Sequence, residues 1–152
     1  MKNTEGMYHY TESGLRNVWL RNGFTVHKTP YGDGVAIEDV DGLHKALALA
    51  LTMKPRKLSS TEIRFLRKEM QMSQIALAAA LDVNVQTLAT WEKAKAKISG
   101  PADRMLRVLL KGHFNNNVHV RRLIETLNSL DQEHHEQMMI FQEEGRRWKQ
   151  TV

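Results

Sequence analysis

The stretch Ser73-Gln74-Ile75-Ala76-Leu77-Ala78-Ala79-Ala80-Leu81-Asp82-Val83-Asn84-Val85-Gln86-Thr87-Leu88-Ala89-Thr90-Trp91-Glu92 decides the architecture of this chain. Ser73 is a residue type that accepts from a backbone N–H of the first helical turn, so a short helix is expected from Gln74 to Leu81. Asp82-Val83-Asn84 is a three-residue break, and a further helix is expected near Val85–Lys93. Two short helices joined this way hold an angle of roughly 90–120° when apolar residues lock the corner. Leu77, Ala78 and Leu81 supply the inward face of the first, Val83 plugs the turn, and Leu88 and Trp91 anchor the second. Ala78 is small enough to let the two axes approach closely.

That packing leaves Gln86, Ala89, Thr90 and Lys93 on the open face of the second helix. Such residue types suit base edges: glutamine bonds adenine at two points, threonine is permissive, and an alanine or valine methyl touches thymine. The expectation is a helix-turn-helix that places the helix beginning near Val85 in the major groove of DNA. The competing structural reading is a packed helical hairpin unrelated to DNA. Charge separates the two. Residues 1–53 carry five basic and six acidic side chains, and residues 112–152 carry the same, whereas residues 54–111 hold twelve basic side chains against five acidic ones. The net excess of +5 therefore arises wholly in the segment that contains the motif. A localised positive field is what a polyanion-binding surface requires, because neutralised phosphates release condensed counterions.

The motif resembles the Xre/Cro/CI class of phage-repressor helix-turn-helix regulators through Ser73-Gln74, Leu77-Ala78, Val83, Thr87-Leu88 and Trp91-Glu92-Lys93, over about Thr61 to Leu110. It departs at the turn, where that class usually has glycine and this chain has Asp82. The resemblance implies that Asn84, Val85, Gln86, Ala89 and Thr90 face bases. It implies phosphate contacts from Gln74, Thr87, Lys93, Lys95 and Lys97, and a structural ion pair between Arg67 and Glu92, which removes both from the reading set. A second resemblance covers Tyr8 to Leu110. Tyr8-His9-Tyr10-Thr11-Glu12-Ser13-Gly14-Leu15, Asn17-Val18-Trp19-Leu20, Val35-Ala36-Ile37-Glu38-Asp39-Val40-Asp41-Gly42-Leu43 and Arg64-Phe65-Leu66-Arg67-Lys68 look like the MqsA-like (YgiT-type) antitoxin and regulator group. Members of that group typically repress their own operon as dimers, and many hold a cysteine-ligated zinc. This chain has no cysteine, so the zinc site does not carry over, and disulfides and thiolate chemistry are excluded as well.

Working outward from the motif, Ser59, Ser60 or Thr61 caps a helix bearing Ile63, Leu66 and Met70, and Ser99-Gly100-Pro101-Ala102-Asp103 opens another that Gly112 is expected to end. Asn17–Leu20 and Phe24–His27 are β-prone runs, expected to form a hairpin about Arg21-Asn22-Gly23. Pro30-Tyr31-Gly32-Asp33-Gly34 marks a second turn before a third strand at Val35-Ala36-Ile37. Asp39 or Asp41 caps a helix reaching Met53, and Lys54-Pro55-Arg56-Lys57 reads as a linker. Past Asn115-Asn116-Asn117, the stripe Val120, Leu123, Ile124, Leu127, Leu130 either completes the core or pairs with another subunit. From Asp131 a frayed helix or partner-dependent tail is expected, with Met138-Met139-Ile140-Phe141 as an apolar patch ahead of Arg146-Arg147-Trp148-Lys149.

His9, His27 and His44 lack carboxylate or cysteine partners at ligand spacing and read as surface or structural histidines, and the adjacent His134 and His135 would diverge on a helix. Tyr8, Tyr10, Trp19, Phe24 and Tyr31 read as an aromatic mini-core or a dimer surface rather than a ligand pocket. No apolar run approaches the ~20 residues of a bilayer span and no secretory signal is present, so a cytoplasmic protein is expected.

The resulting fold class is α+β. A small N-terminal β-hairpin/helix module spans 1–53. It is followed by a five-helix-type lambda-repressor-like helix-turn-helix domain over 58–112 and a C-terminal helical extension over 117–152 as a candidate dimerisation element. The expected function is that of a dimeric repressor on an inverted-repeat operator of its own operon, with no enzymatic activity, cofactor or metal. The alternative is an antitoxin-type protein whose N-terminal module or tail also sequesters a protein partner, a toxin or neighbouring gene product.

Overall fold

Every helix among the described residues begins at an aspartate, asparagine or serine whose side chain accepts a first-turn backbone N–H. These caps satisfy donors that the start of a helix leaves unpaired. The computed structural model describes residues 4–129 and 139–151. In chain order, Asp39 caps α1 (Val40–Thr52), Ser59 caps α2 (Ser60–Glu69), and Ser73 caps α3 (Gln74–Ala80). Asn84 caps α4 (Val85–Glu92), Ser99 caps α5 (Gly100–Phe114) with proline in its first turn, and Asn117 caps α6 (Val118–Asn128). At α2 the cap is reciprocal, because Glu62 reaches back to the Ser59 N–H.

The core is continuous through these helices. Ile63, Leu66 and Met70 of α2 and its end, Leu77 of α3, Leu88 of α4, Ile98, and Leu106 and Leu110 of α5 are all fully buried. Leu15 and Ala48 join the same cluster from the N-terminal part of the chain. Helix α1 packs against α2 and α5, and α6 packs against α3 and α5. The segment Lys54–Lys57 connects α1 to α2 without interrupting the core.

Strand pairing differs from the expectation. Trp19–Leu20 (β2) pairs antiparallel with Tyr8–His9 (β1), and Phe24–Thr29 (β3) pairs with Gly32–Ile37 (β4) around Pro30-Tyr31. The Asn22-Gly23 turn forms, with Gly23 at φ +78°, but it redirects the chain between two sheets instead of closing a hairpin. The Gly23 carbonyl is taken by the Glu38 N–H at 2.8 Å, at the far end of the β3–β4 ladder. The longer six-residue pairing outcompetes the shorter one, since each aligned residue adds ladder bonds and cross-strand contacts.

Two further corrections concern the C-terminal third. Gly112 does not end α5, which runs on to Phe114. Its role is close approach: a Cβ there would lie 2.7 Å from Val120 Cγ2 and 3.0 Å from Val120 Cγ1 of α6. The α6 stripe also divides, with Ile124 buried and Val120 and Leu127 packed on the core while Leu123 stays exposed. Of the two alternatives for the tail, a frayed helix or a partner-dependent segment, the helix is not what residues 139–151 form: they make a hairpin of β5 (Ile140–Glu144) and β6 (Arg147–Thr151). Gly145 and Arg146 both have positive φ, the geometry of a tight turn that matches strand twist, and Glu143 accepts from the Arg146 N–H at 2.8 Å. Leu130 to Met138, including the expectations placed on His134 and His135, lie outside the described residues.

Gly112→Ala is the informative substitution for this packing. Alanine in a helix interior ordinarily gains about 1 kcal/mol over glycine. Here the clash with Val120 should reverse the sign, with a net loss of roughly 1–3 kcal/mol in urea denaturation. In a Val120→Ala background the same change should become neutral or stabilising; a raised midpoint in the wild-type background would show that the approach is not limiting.

Candidate nucleic-acid interface

The corner between α3 and α4 is built by short-range backbone constraints. Helix α3 stops at Leu81, and Asp82 takes a left-handed φ of 54°. That conformation is uncommon for a side chain other than glycine and is best tolerated by aspartate and asparagine. The Val83 N–H then returns to the Ala78 carbonyl at 2.9 Å. Leu77 and Ala78 are buried on the inner side, Leu88 and Trp91 are buried from α4, and Val83 packs on the same cluster.

The far end of α4 is equally defined. Ala94 adopts φ 61°, its N–H bonds the Trp91 carbonyl at 3.2 Å, and the Lys95 N–H bonds the Thr90 carbonyl at 3.1 Å. This pair of bonds closes the helix and directs the following residues away from it. Lys93, Lys95 and Lys97 are exposed, and none forms an ion pair among the described residues.

Glu92 holds α4 against the other helices. Its carboxylate is buried, with the residue 3% exposed, and it accepts from Arg67 Nε at 2.9 Å and Arg67 Nη2 at 2.8 Å. The same guanidinium donates through Nη1 to the Met72 carbonyl at 3.1 Å, which ties in the α2–α3 turn. Gln74 Nε2 approaches Glu92 Oε1 at 3.4 Å from the start of α3. Arg64, which sequence reasoning did not single out, donates to the Glu92 backbone carbonyl at 2.9 Å and has Nε 3.7 Å from the carboxylate. It thereby satisfies an orphan carbonyl at the negative end of α4. Its position one turn before Arg67 on α2 is the signal that would have found it.

Of the residues expected to face bases, Gln86, Ala89 and Thr90 lie on α4 outside its buried seam, whereas Val85 is half-buried and packs against the core. Gln86 is exposed and its side-chain amide makes no hydrogen bond among the described residues. Asn84 is partly committed: its Oδ1 accepts from the Gln86 N–H at 2.8 Å, which leaves its amide NH2 for a ligand. Thr90 donates its hydroxyl proton to the Gln86 carbonyl at 2.8 Å and retains only acceptor capacity. Thr87 is exposed on the neighbouring flank of α4. Gln74, expected to hold phosphate, has its amide turned toward Glu92.

Residues 63–102 match a family model described as helix-turn-helix. Over this stretch the chain is similar to helix-turn-helix proteins. The match runs from α2 into the first turn of α5 and contains the whole corner. No curated protein and no solved structure matches the chain.

Of the histidines in the N-terminal part, His27 is exposed on β3, while His9 and His44 are placed as fold contacts. His9 stacks on Trp19 with ring centroids 4.1 Å apart, and its Nε2 lies 2.6 Å from the Arg16 carbonyl. His44 bridges Tyr10, at 2.7 Å through Nε2, and Glu69, at 2.8 Å through Nδ1. A carboxylate at Nδ1 selects the tautomer with its proton there, so Nε2 accepts from the phenol. Burial first, then the charges of Glu12 and Glu69, raise the Tyr10 phenol above its ordinary pKa and keep it a donor. Among the described residues no group of three or more histidine or acidic side chains is arranged to hold a metal. No described helix is long and apolar enough to cross a membrane.

Glu92→Ala should strand the Arg67 guanidinium in a partly buried site. A loss of about 3 kcal/mol is expected in chemical denaturation. Circular dichroism of the native state should stay helical at low temperature, which separates lost stability from lost fold.

Proposed function

We propose that the chain is a sequence-specific transcriptional repressor that binds an inverted-repeat operator in the promoter of its own operon as a dimer. The observation that carries this reading is the open face of α4. The side-chain amide of Gln86 makes no hydrogen bond among the described residues, on a short helix whose two ends are closed by backbone bonds and whose buried seam is locked by Leu88, Trp91 and Glu92. A rigid helix with free hydrogen-bonding capacity on one face suits a partner that presents a fixed pattern of donors and acceptors, and the major groove does so.

In this reading Gln86 makes the two-point contact to a base, with Val85 and Ala89 supplying methyl contacts and Asn84 and Thr90 contributing a donor and an acceptor. Gln74, Thr87, Lys93, Lys95 and Lys97 hold the flanking backbone and set the register, while Arg67 and Glu92 keep α4 in place without touching DNA. Two copies related by a two-fold axis would read half-sites one helical turn apart, and occupancy of a promoter by such a pair blocks transcription. A protein-sequestering role has one observation in its favour, the exposure of Ile140, Phe141 and Trp148 on the β5–β6 hairpin. Co-purification of the full-length chain with the products of adjacent genes tests it.

Selection of binding sites from random duplexes should return an inverted repeat with half-site centres about 10 bp apart. Gln86→Ala should cost about 1–3 kcal/mol on the selected site and relax preference at one base position of each half-site. An unchanged ratio between selected and scrambled duplexes would remove Gln86 from the reading set.

A further inference from the structure

By composition Lys54-Pro55-Arg56-Lys57 is a linker, yet its backbone carbonyls are bound by a side chain of a distant helix. Arg107 of α5 donates to the carbonyls of Thr52 at 3.3 Å and Lys54 at 2.5 Å through Nη1, and to that of Arg56 at 2.6 Å through Nη2. The guanidinium is itself held by the buried Asp103, with Nε 3.1 Å from Oδ2 in an ion-pair contact and Nη2 3.2 Å from Oδ1. Asp103 Oδ1 also accepts from the Leu58 N–H at 2.9 Å, so the segment is fixed at both ends.

The charges on this fixed segment are unevenly compensated. Lys54 pairs with Glu62 at 2.6 Å. Arg56 and Lys57 are exposed and form no ion pair among the described residues. Arg56 and Lys57 line one open groove of about 460 Å³ together with Lys97, and a second together with Arg104. Lys97 also lines a third groove with Lys95, beside Trp91 and Ala94 at the end of α4. A single cationic strip therefore runs from the lysines behind the reading helix to Arg56, Lys57 and Arg104. The acidic side chains beside it, Glu62 and Asp103, are spent on Lys54 and Arg107.

We infer that Arg56, Lys57 and Arg104 form a second backbone-binding element for duplex DNA, which extends the contact of the helix-turn-helix along the phosphates beyond Lys95 and Lys97. The inference rests on the DNA-binding reading above and adds residues which that reading does not use. The cations are spread along an open strip rather than converging on an enclosed point, the arrangement expected for a repeating polyanion rather than for one small anion. Anchoring the backbone in advance lowers the ordering cost of placing charge against phosphate. Because phosphates carry no sequence information, this element contributes affinity and register without discrimination.

The test is the salt dependence of binding by the full-length chain to two duplexes of equal length, one selected by the wild-type protein and one scrambled. Arg56→Ala with Lys57→Ala should make the slope of log K against log salt shallower by about 1 to 2 on both duplexes, leaving the ratio between them unchanged. Arg56→Lys with Lys57→Arg should keep the wild-type slope. Both positions are exposed, so thermal unfolding should be unaltered and serves as the control for folding. A wild-type slope in the alanine variant, or a changed ratio between duplexes, overturns this assignment while DNA binding by the chain stands. If the wild-type chain binds neither duplex, the DNA-binding reading falls and takes this one with it.

Discussion

The rest of the structure depends on one buried ion pair. Arg67 presents a flat fork to the Glu92 carboxylate and spends its remaining nitrogen on the Met72 carbonyl. One guanidinium thus joins α2, the turn that leads into α3 and the last residue of α4. Charges this far from water are costly unless each hydrogen-bonding position is used, and here Gln74 and Arg64 complete the set around Glu92. The pair gives geometric definition to a short helix that could not hold its own direction, since eight residues are too few for stable isolated helix.

Once α4 is fixed, its faces separate by chemistry. The seam of Leu88 and Trp91 faces the core, and the polar side chains away from it lack the apolar surface that would draw them in. The basic residues that follow α4 remain in water because no acidic side chain on the described surface neutralises them. Four of the five acidic residues of the middle segment are used internally instead: Glu62 caps α2 and pairs with Lys54, Glu69 holds His44, Glu92 binds Arg67, and Asp103 holds Arg107, while Asp82 is exposed at the α3–α4 turn. The positive field of this region follows from that division of labour between buried carboxylates and exposed amines.

The N-terminal part is fastened to the helices at two places. Tyr10, His44 and Glu69 form a hydrogen-bonded chain from the first residues through α1 to the end of α2. Arg107 straps the α1–α2 connection to α5. Both fasteners join residues distant in sequence, and Leu15 and α1, through Ala48, share the core of the helix-turn-helix.

The sequence by itself determined the helix-turn-helix. Ser73, Asp82-Val83-Asn84 and the apolar spacing from Leu77 to Trp91 are local signals, and helix caps, left-handed turn residues and helical periodicity act within a few residues of one another. The starts of α2 and α5 are legible for the same reason, in Ser59-Ser60-Thr61, any of which could cap, and in Ser99. What only the tertiary structure decided is every choice that depends on a distant partner. Asn22-Gly23 marks a turn correctly, but which strands pair across it depends on Tyr8-His9 and Val35–Ile37 competing for the same edges. Gly112 reads as a helix end until α6 is seen to press Val120 against it. His44 looks like an ordinary surface residue because Tyr10 and Glu69 lie 34 and 25 residues away, and the local pairing of Arg107 with Asp103 says nothing of the Thr52, Lys54 and Arg56 carbonyls it binds, all 51 or more residues away. Hydrogen bonds of that range are set by packing of the whole core, and no local pattern in the amino-acid sequence encodes them.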